Sequence, residues 1–191
     1  MLATVLVSAC GPLPRLNAVP QSEQNDVTVL GLKDVREWGD EATPQLLTEG
    51  VDSNRRERAY ATATGHPGPL PPAYYLAISG GGENGAFGAG LLAGWKAAGT
   101  RPVFKLVTGI STGALIAPFA FLGPAYDPEL KAIFTEICPK DVLERRWILA
   151  ALLNDALATN RPLYLTNQRY VTPELLGAIA EQYEMAGRHR R

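Results

Sequence analysis

The sequence predicts an α/β fold, and two observations support that prediction. Two short runs rich in branched and aromatic residues, at 74–79 and 103–108, have the composition of buried parallel strands. Each run leads into a glycine-containing loop and then into an apolar stretch of helical length, at 86–98 and 114–122. This order is a βαβα unit, in which the crossover between parallel strands is right-handed.

The composition fits a globular chain and excludes some partners. Of 191 residues, 46% are hydrophobic and 19% are charged, which is enough apolar material for a real core. The net charge of −1 leaves no basic excess for a phosphate backbone, so we expect no nucleic acid partner. Neither Cys10 nor Cys138 belongs to a CxxC pair, and we expect no metal and no cofactor.

The N-terminus resembles a bacterial lipoprotein signal. An apolar run ends in Val7-Ser8-Ala9-Cys10, which resembles a lipobox whose Cys is lipidated, and it is too short to span a bilayer. We expect residues 1–10 to be a signal peptide ending at Cys10 and the protein to be lipid-anchored in the bacterial cell envelope. Gly11, rather than Asp, resembles the residue found in outer-membrane lipoproteins. The alternative is an apolar N-terminus that packs on the protein.

The remaining chain divides into two parts. Residues 11–73 are predicted to be a tether and peripheral extension, with a possible strand at 27–30, and the charges of 55–58 facing solvent. Residues 74–191 form the catalytic unit, in which the helix at 86–98 is expected to bury one face and to stop at Gly99. That face comprises Phe87, Leu91, Leu92 and Trp95.

Two chemistries compete for the glycine loops. Gly80, Gly82 and Gly85 satisfy the spacing of a dinucleotide-binding loop, but the acidic residue required after the second strand is replaced by Thr108 and Gly109. A nucleophile elbow accounts for both loops, because GxSxG after a strand exposes a serine hydroxyl on a sharp turn. The elbow consists of Gly109-Ile110-Ser111-Thr112-Gly113.

Ser111 is therefore the candidate nucleophile of a hydrolase. Backbone amides after the first strand, together with that of Thr112, can converge on a developing oxyanion. The serine needs a base. His66 lies in a Pro-Gly loop and His189 in the charged tail, so neither suits a triad, and the alternative is a carboxylate that acts directly on the serine.

The segment from Ser79 to Gly90, followed by GISTG, resembles the patatin-like phospholipase family, whose members are lipid acyl hydrolases with a Ser-Asp dyad. The resemblance covers residues 74 to about 186. It implies a three-layer α/β/α fold with a mainly parallel sheet, Ser111 as nucleophile, and no metal. It also implies phospholipids or other fatty-acyl esters as substrates and a membrane surface as partner. The oxyanion hole that it implies comprises Gly80, Gly81, Gly82, Gly85 and Thr112.

This chain departs from the family pattern in two places. Asn84 stands where many members have Arg or Lys, and the family's Asp-Gly-Gly or Asp-Gly-Ala motif is absent, because the sequence has no Asp-Gly pair. The three aspartates that follow the serine have structural interpretations: Asp127 and Asp141 as helix N-caps, and Asp155 within a helical pattern.

After Ser111 we expect helices at 128–137, 141–158 and 173–186, with a connector at 161–165 and no strand after residue 171. The sheet would then keep an open edge and the fold would be incomplete at the C-terminus, as in the N-terminal part of a longer patatin-like domain. Such a chain would have little or no esterase activity. The alternative function is a lipid-anchored, non-catalytic binding or scaffold protein.

Overall fold

The computed structural model describes residues 20–26, 28, 30–32, 43–145, 158–186 and 189–190. Six α-helices and five short strands lie in these ranges, with 3-10 turns at Gln21–Asp26, Gly82–Asn84, Pro124–Tyr126 and Pro139–Asp141. In chain order they are α1 (Pro44–Ala63), β1 (Tyr74–Ile78), α2 (Gly85–Ala97), β2 (Phe104–Gly109), α3 (Thr112–Leu122), α4 (Asp127–Glu136), β3 (Glu144–Arg145), β4 (Ala158–Thr159), α5 (Arg161–Tyr170), α6 (Pro173–Ala186) and β5 (His189–Arg190).

The main sheet has the strand order β1-β2-β5, and both pairings are parallel. The two strands predicted from the sequence are therefore confirmed. The expectation that no strand follows residue 171 is wrong, because His189 pairs with Leu106 and Arg190 with Val107. Two polar residues give no strand signal of their own, and their pairing is set by the backbone of β2, whose second edge they cover.

Helices cover both faces of the sheet. Adjacent residues of a strand point to opposite faces of the sheet. On one face, the Phe104 ring meets the Trp95 ring of α2 edge to face, with 5.8 Å between the ring centroids. On the other face, Lys105 forms an ion pair with Glu57 of α1. This arrangement is the α/β/α fold that the sequence predicted. The core lies where α3 packs against β1 and β2, with Val107, Ile116, Phe119 and Phe121 among its fully buried residues.

The buried face of α2 differs from the prediction. Leu92 is buried and Trp95 half-buried, as expected, but Phe87 is 77% exposed and Leu91 56% exposed. The small residues Gly85 and Ala89 take the inner face instead, because α2 packs closely against α3 and α4. The helix ends as predicted, with Gly99 at φ +69° just beyond it.

Two further predictions after Ser111 need correction. Residues 141–158 do not form one helix, because Glu144 pairs with Thr159 and Arg145 with Ala158 in an antiparallel ladder; residues 146–157 lie outside the described ranges. The connector predicted at 161–165 is the first half of α5. The helices predicted at 128–137 and 173–186 correspond to α4 and α6. In the predicted strand at 27–30, Thr28 has no regular structure and Leu30 begins a turn.

The charges of 55–58 are partly a packing surface rather than a solvent-facing run. Arg55 pairs with Asp52 at the surface, but the Arg56 guanidinium lies 4.5 Å from the Tyr183 ring centroid of α6. The Tyr183 hydroxyl donates a hydrogen bond to Glu49 of α1, and this bond, with burial, raises the pKa of Tyr183. The segment predicted as a peripheral extension thus contributes a 20-residue helix packed on α6.

The Lys105–Glu57 pair gives a stability prediction. The side chains are 19% and 13% exposed, so removing one charge leaves the other desolvated without a partner. We expect Glu57→Leu to lower the free energy of unfolding by about 3 kcal/mol. Adding Lys105→Met should recover most of that loss. Urea unfolding checks both, and a double variant less stable than Glu57→Leu alone would contradict the interpretation.

Candidate active site

Ser111 lies at the turn between β2 and α3 in a strained backbone conformation. Its φ of 55° and ψ of −120° fall where residues with a side chain rarely occur, at a typical cost of about 1–3 kcal/mol. Among the described residues other than glycine, it shares a positive φ with Leu30 alone. The residue is exposed, so the strained turn presents the hydroxyl to solvent.

The two glycines of the motif permit contacts between backbones. A Cβ on Gly109 would lie 2.2 Å from the Gly113 carbonyl oxygen, and a Cβ on Gly113 would lie 2.3 Å from that of Ile78. The Ile110 amide donates to the Ile78 carbonyl at 3.1 Å, joining the elbow to the end of β1. The elbow therefore exists because both positions lack a side chain.

The glycine loop after β1 lies directly against the serine. A Cβ on Gly80 would be 2.9 Å from Ser111 Cβ and 3.1 Å from the Ile110 carbonyl oxygen. The loop continues through Gly81, and through Gly82 at φ +57°, into a 3-10 turn. The structure thus brings together the two glycine clusters that are 30 residues apart in the sequence.

Thr112 and Gly85 join the loop to the elbow. A Cβ on Gly85 would be 2.9 Å from both Thr112 Cβ and Phe134 Cε1, so α2 begins in close contact with α3. Thr112 is the first residue of α3, where a helix offers its amides no internal acceptor. Its Oγ1 is buried without a hydrogen-bond partner in the described part of the chain. Sequence reasoning considered only the amide of this residue.

Ser111 Oγ forms no hydrogen bond among the described residues. His66 is exposed in the loop between α1 and β1, and His189 lies in β5. Asn84, at the N-cap of α2, makes no side-chain capping bond. Within the described ranges, no group of His, Cys, Asp or Glu side chains is arranged to hold a metal ion.

Asp127 forms an ion pair with Arg101 near the C-terminal end of α3, whereas Ser111 precedes its N-terminal end. Its Oδ1 accepts a hydrogen bond from Arg101 Nη1 at 2.7 Å, and Arg101 Nη2 reaches the Ala120 carbonyl at 3.4 Å. Ala120 is eight residues beyond Thr112, or about 12 Å along the helix axis. Asp127 was predicted to be an N-cap, but it is the first residue of α4, after Tyr126. It serves structure rather than Ser111.

Asp141, the next aspartate along the chain, also has structural partners. The Asp141 carboxylate accepts the Cys138 amide at 2.9 Å, and its carbonyl accepts the Thr166 hydroxyl at 3.0 Å, so it stabilises a turn rather than starting a helix. Asp155, together with the proposed lipidation site Cys10, lies outside the described residues.

A cavity of about 390 Å³ lies away from Ser111, between α1 and α6. It is lined by Pro44, Gln45, Thr48, Glu49, Asp52, Arg56 and Tyr183. The charged groups there already pair, Asp52 with Arg55 and Glu49 with both Tyr183 and Arg56. This cavity is therefore a gap between two packed helices, whereas Ser111 is exposed to solvent.

Comparison with known families agrees with this geometry. The family model described as patatin-like phospholipase matches residues 76–187, which is more than half of the chain. The chain therefore belongs to the patatin-like phospholipase family, a family of lipid hydrolases. No curated protein and no solved structure matches it. In the ranges the structure describes, none of the helices has both the length and the apolarity needed to cross a membrane.

The contacts at the elbow predict a contrast between two glycines. Gly113→Ala places a methyl group against the Ile78 carbonyl and should lower the free energy of unfolding by about 3 kcal/mol. Gly90→Ala in α2, where nothing lies within 4 Å, should instead raise it by about 0.5–1 kcal/mol. Urea unfolding followed by circular dichroism measures both. Equal stability of Gly113→Ala and the parent would contradict the proposed backbone contact.

Proposed function

We propose that the chain carries the nucleophile half of a serine-dependent lipid acyl hydrolase site, of the phospholipase A or lysophospholipase type. The observation that supports this most is the strained, exposed Ser111 with the Gly80–Gly85 loop packed against it. A strained residue persists only where the surrounding structure enforces it, which is typical of active sites.

In the proposed reaction, Ser111 Oγ attacks the carbonyl carbon of a fatty-acyl ester and passes its proton to a base. The carbonyl oxygen becomes an oxyanion, which the amides of Gly81, Gly82 and Thr112 would stabilise by about 3–4 kcal/mol per donor. The proton then goes to the departing alcohol, and the acyl chain stays on Ser111. Water, deprotonated by the same base, releases the fatty acid.

The base in this family is an aspartate of an Asp-Gly motif, and the present sequence contains no Asp-Gly pair. Asp127 and Asp141 have structural partners. We therefore propose that the chain has little or no esterase turnover, because no base contacts Ser111 Oγ in the described part of the chain. A dinucleotide site is disfavoured, because Gly80 packs against Ser111.

We further propose that the protein is lipid-anchored through Cys10 in a bacterial envelope, with the outer membrane favoured. This rests on the sequence Val7-Ser8-Ala9-Cys10-Gly11. A lipid-anchored scaffold that keeps the fold without turnover is the second candidate, and the lack of a hydrogen bond to Ser111 Oγ in the described part of the chain favours it.

Two measurements separate these functions. We expect purified protein to hydrolyse short- and long-chain p-nitrophenyl esters no faster than Ser111→Ala does. We also expect a fluorophosphonate to label the parent slowly at Ser111, since the oxyanion loop can assist that attack without an aspartate. Ser79→Ala, which removes an exposed serine in the adjoining loop, is the matched control and should keep the label.

Each result has a clear meaning. Robust hydrolysis that depends on Ser111 would refute the proposal that the chain lacks a base, and it would support the serine hydrolase. Absence of label at Ser111 would refute the nucleophile and leave the scaffold as the better function.

The anchor has its own test. When the gene is expressed in a bacterium fed an alkyne fatty acid, the parent should acquire the label and fractionate with membranes, whereas Cys10→Ser should do neither. Cys138→Ser, which removes the other, exposed thiol, should behave as the parent. Label retained in Cys10→Ser would refute lipidation at that residue.

A further inference from the structure

Helix α2 presents an outward surface that carries no polar side chain over most of its length. The helix is apolar nearly all round, and Lys96, near its C-terminal end, is its single charged residue. Helices of that composition are normally buried on every side. The exposed residues of α2 other than Lys96 are Ala86, Phe87, Gly90, Leu91, Ala93, Gly94 and Ala97; we call them the α2 face.

The α2 face begins close in the chain to the contact between α2 and α3. It begins directly after Gly85, where a Cβ would lie 2.9 Å from Thr112 Cβ, and it extends about 17 Å along the helix. Ile110, immediately before Ser111, adds a side chain that is 74% exposed. Exposed apolar side chains therefore occur next to Ser111 in the chain and on the helix whose first residue lies against Thr112.

We propose that the α2 face and Ile110 dock on the surface of a lipid layer, with Phe87 and Leu91 inserted among the acyl chains. This inference rests on the proposed function, because it assigns the surface through which that site would reach its substrate.

The chemistry of the face favours lipid over a second copy of the chain. A protein interface typically forms about one hydrogen bond per 100–200 Å², and the side chains of the α2 face offer no donor or acceptor. A lipid layer requires no such hydrogen bonds from the face, and its acyl chains can accommodate the Phe and Leu side chains.

Lys96 does not change this assignment. It lies near the C-terminal end of α2, and its Nζ donates to the Pro124 carbonyl at 3.0 Å. Since the face itself is uncharged, docking should depend on buried apolar area rather than on anionic headgroups, and salt should weaken it little.

Vesicle flotation tests the proposal, using the full chain with Cys10→Ser in every variant so that no lipid anchor contributes. We expect the parent to float with phosphatidylcholine vesicles, equally in low salt and in about 0.5 M NaCl. Phe87→Ser combined with Leu91→Ser should lower the partition coefficient at least about tenfold. Leu47→Ser, on α1 and 63% exposed, is the matched control and should bind as the parent.

A second variant distinguishes a loss of lipid binding from a loss of folding. Gly90→Glu adds a charge to the α2 face at a position with nothing within 4 Å, so it removes no contact, and it should also lower binding at least about tenfold. Unchanged binding of both face variants, or an equal loss in Leu47→Ser, would overturn the proposal. So would a dimer, seen by light scattering, that the face variants abolish without changing flotation.

The outcome is separable from that of the hydrolase test. Ser111→Ala should float as the parent does, because docking does not require the nucleophile. If Ser111 remains unlabelled by fluorophosphonate while flotation depends on the α2 face, the docking surface stands and the hydrolase fails. If Ser111 is labelled and the face variants float as the parent does, only the docking proposal is overturned.

Discussion

Direct contact between backbones at the Gly109–Gly113 turn is the constraint on which the rest of this structure depends. The end of β1, the end of β2 and the start of α3 meet with no side chain between them, since Gly113 adjoins the Ile78 carbonyl and Gly109 adjoins the Gly113 carbonyl. That contact fixes how far α3 stands from the sheet. It also brings the loop after β1 against Ser111, because β1 and β2 are neighbours.

The buried charges show how the fold keeps polar groups without using them in the chemistry. Arg101 and Asp127, with side chains 2% and 9% exposed, pair beside the last turn of α3. Burying the two charges costs solvation free energy, which their attraction offsets only in part. Removing either partner leaves the other charge buried and unpaired, and therefore lowers the stability of the fold. The aspartate that follows Ser111 most closely in the sequence is consequently unavailable to it, whereas the serine itself faces water.

The sequence predicted the sharp turn at Gly109–Gly113 and both strands, because glycine spacing and short apolar runs are local signals. The predictions were wrong where a residue's contacts are with residues distant in the sequence, or where an apolar run does not show which side of a helix is buried. An almost wholly apolar helix does not reveal which side is outside, so Phe87 and Leu91 were assigned to the core. The helix predicted at 141–158 is wrong because pairings between residues 13 and 15 positions apart leave no periodicity in the sequence. The environment of Glu57 was missed because its partner, Lys105, is 48 positions away.

The pairing of Lys105 with Glu57 bears on where this domain begins. The residues matched to the family start at 76, yet a lysine in the second strand of the sheet finds its counter-charge on α1, which ends at Ala63. The family match and the packing of the fold therefore mark different boundaries in this protein. A recombinant fragment that starts at the family boundary would leave the Lys105 side chain without its partner and would uncover the side of α6 on which α1 packs, so α1 is better regarded as an outer layer of the fold.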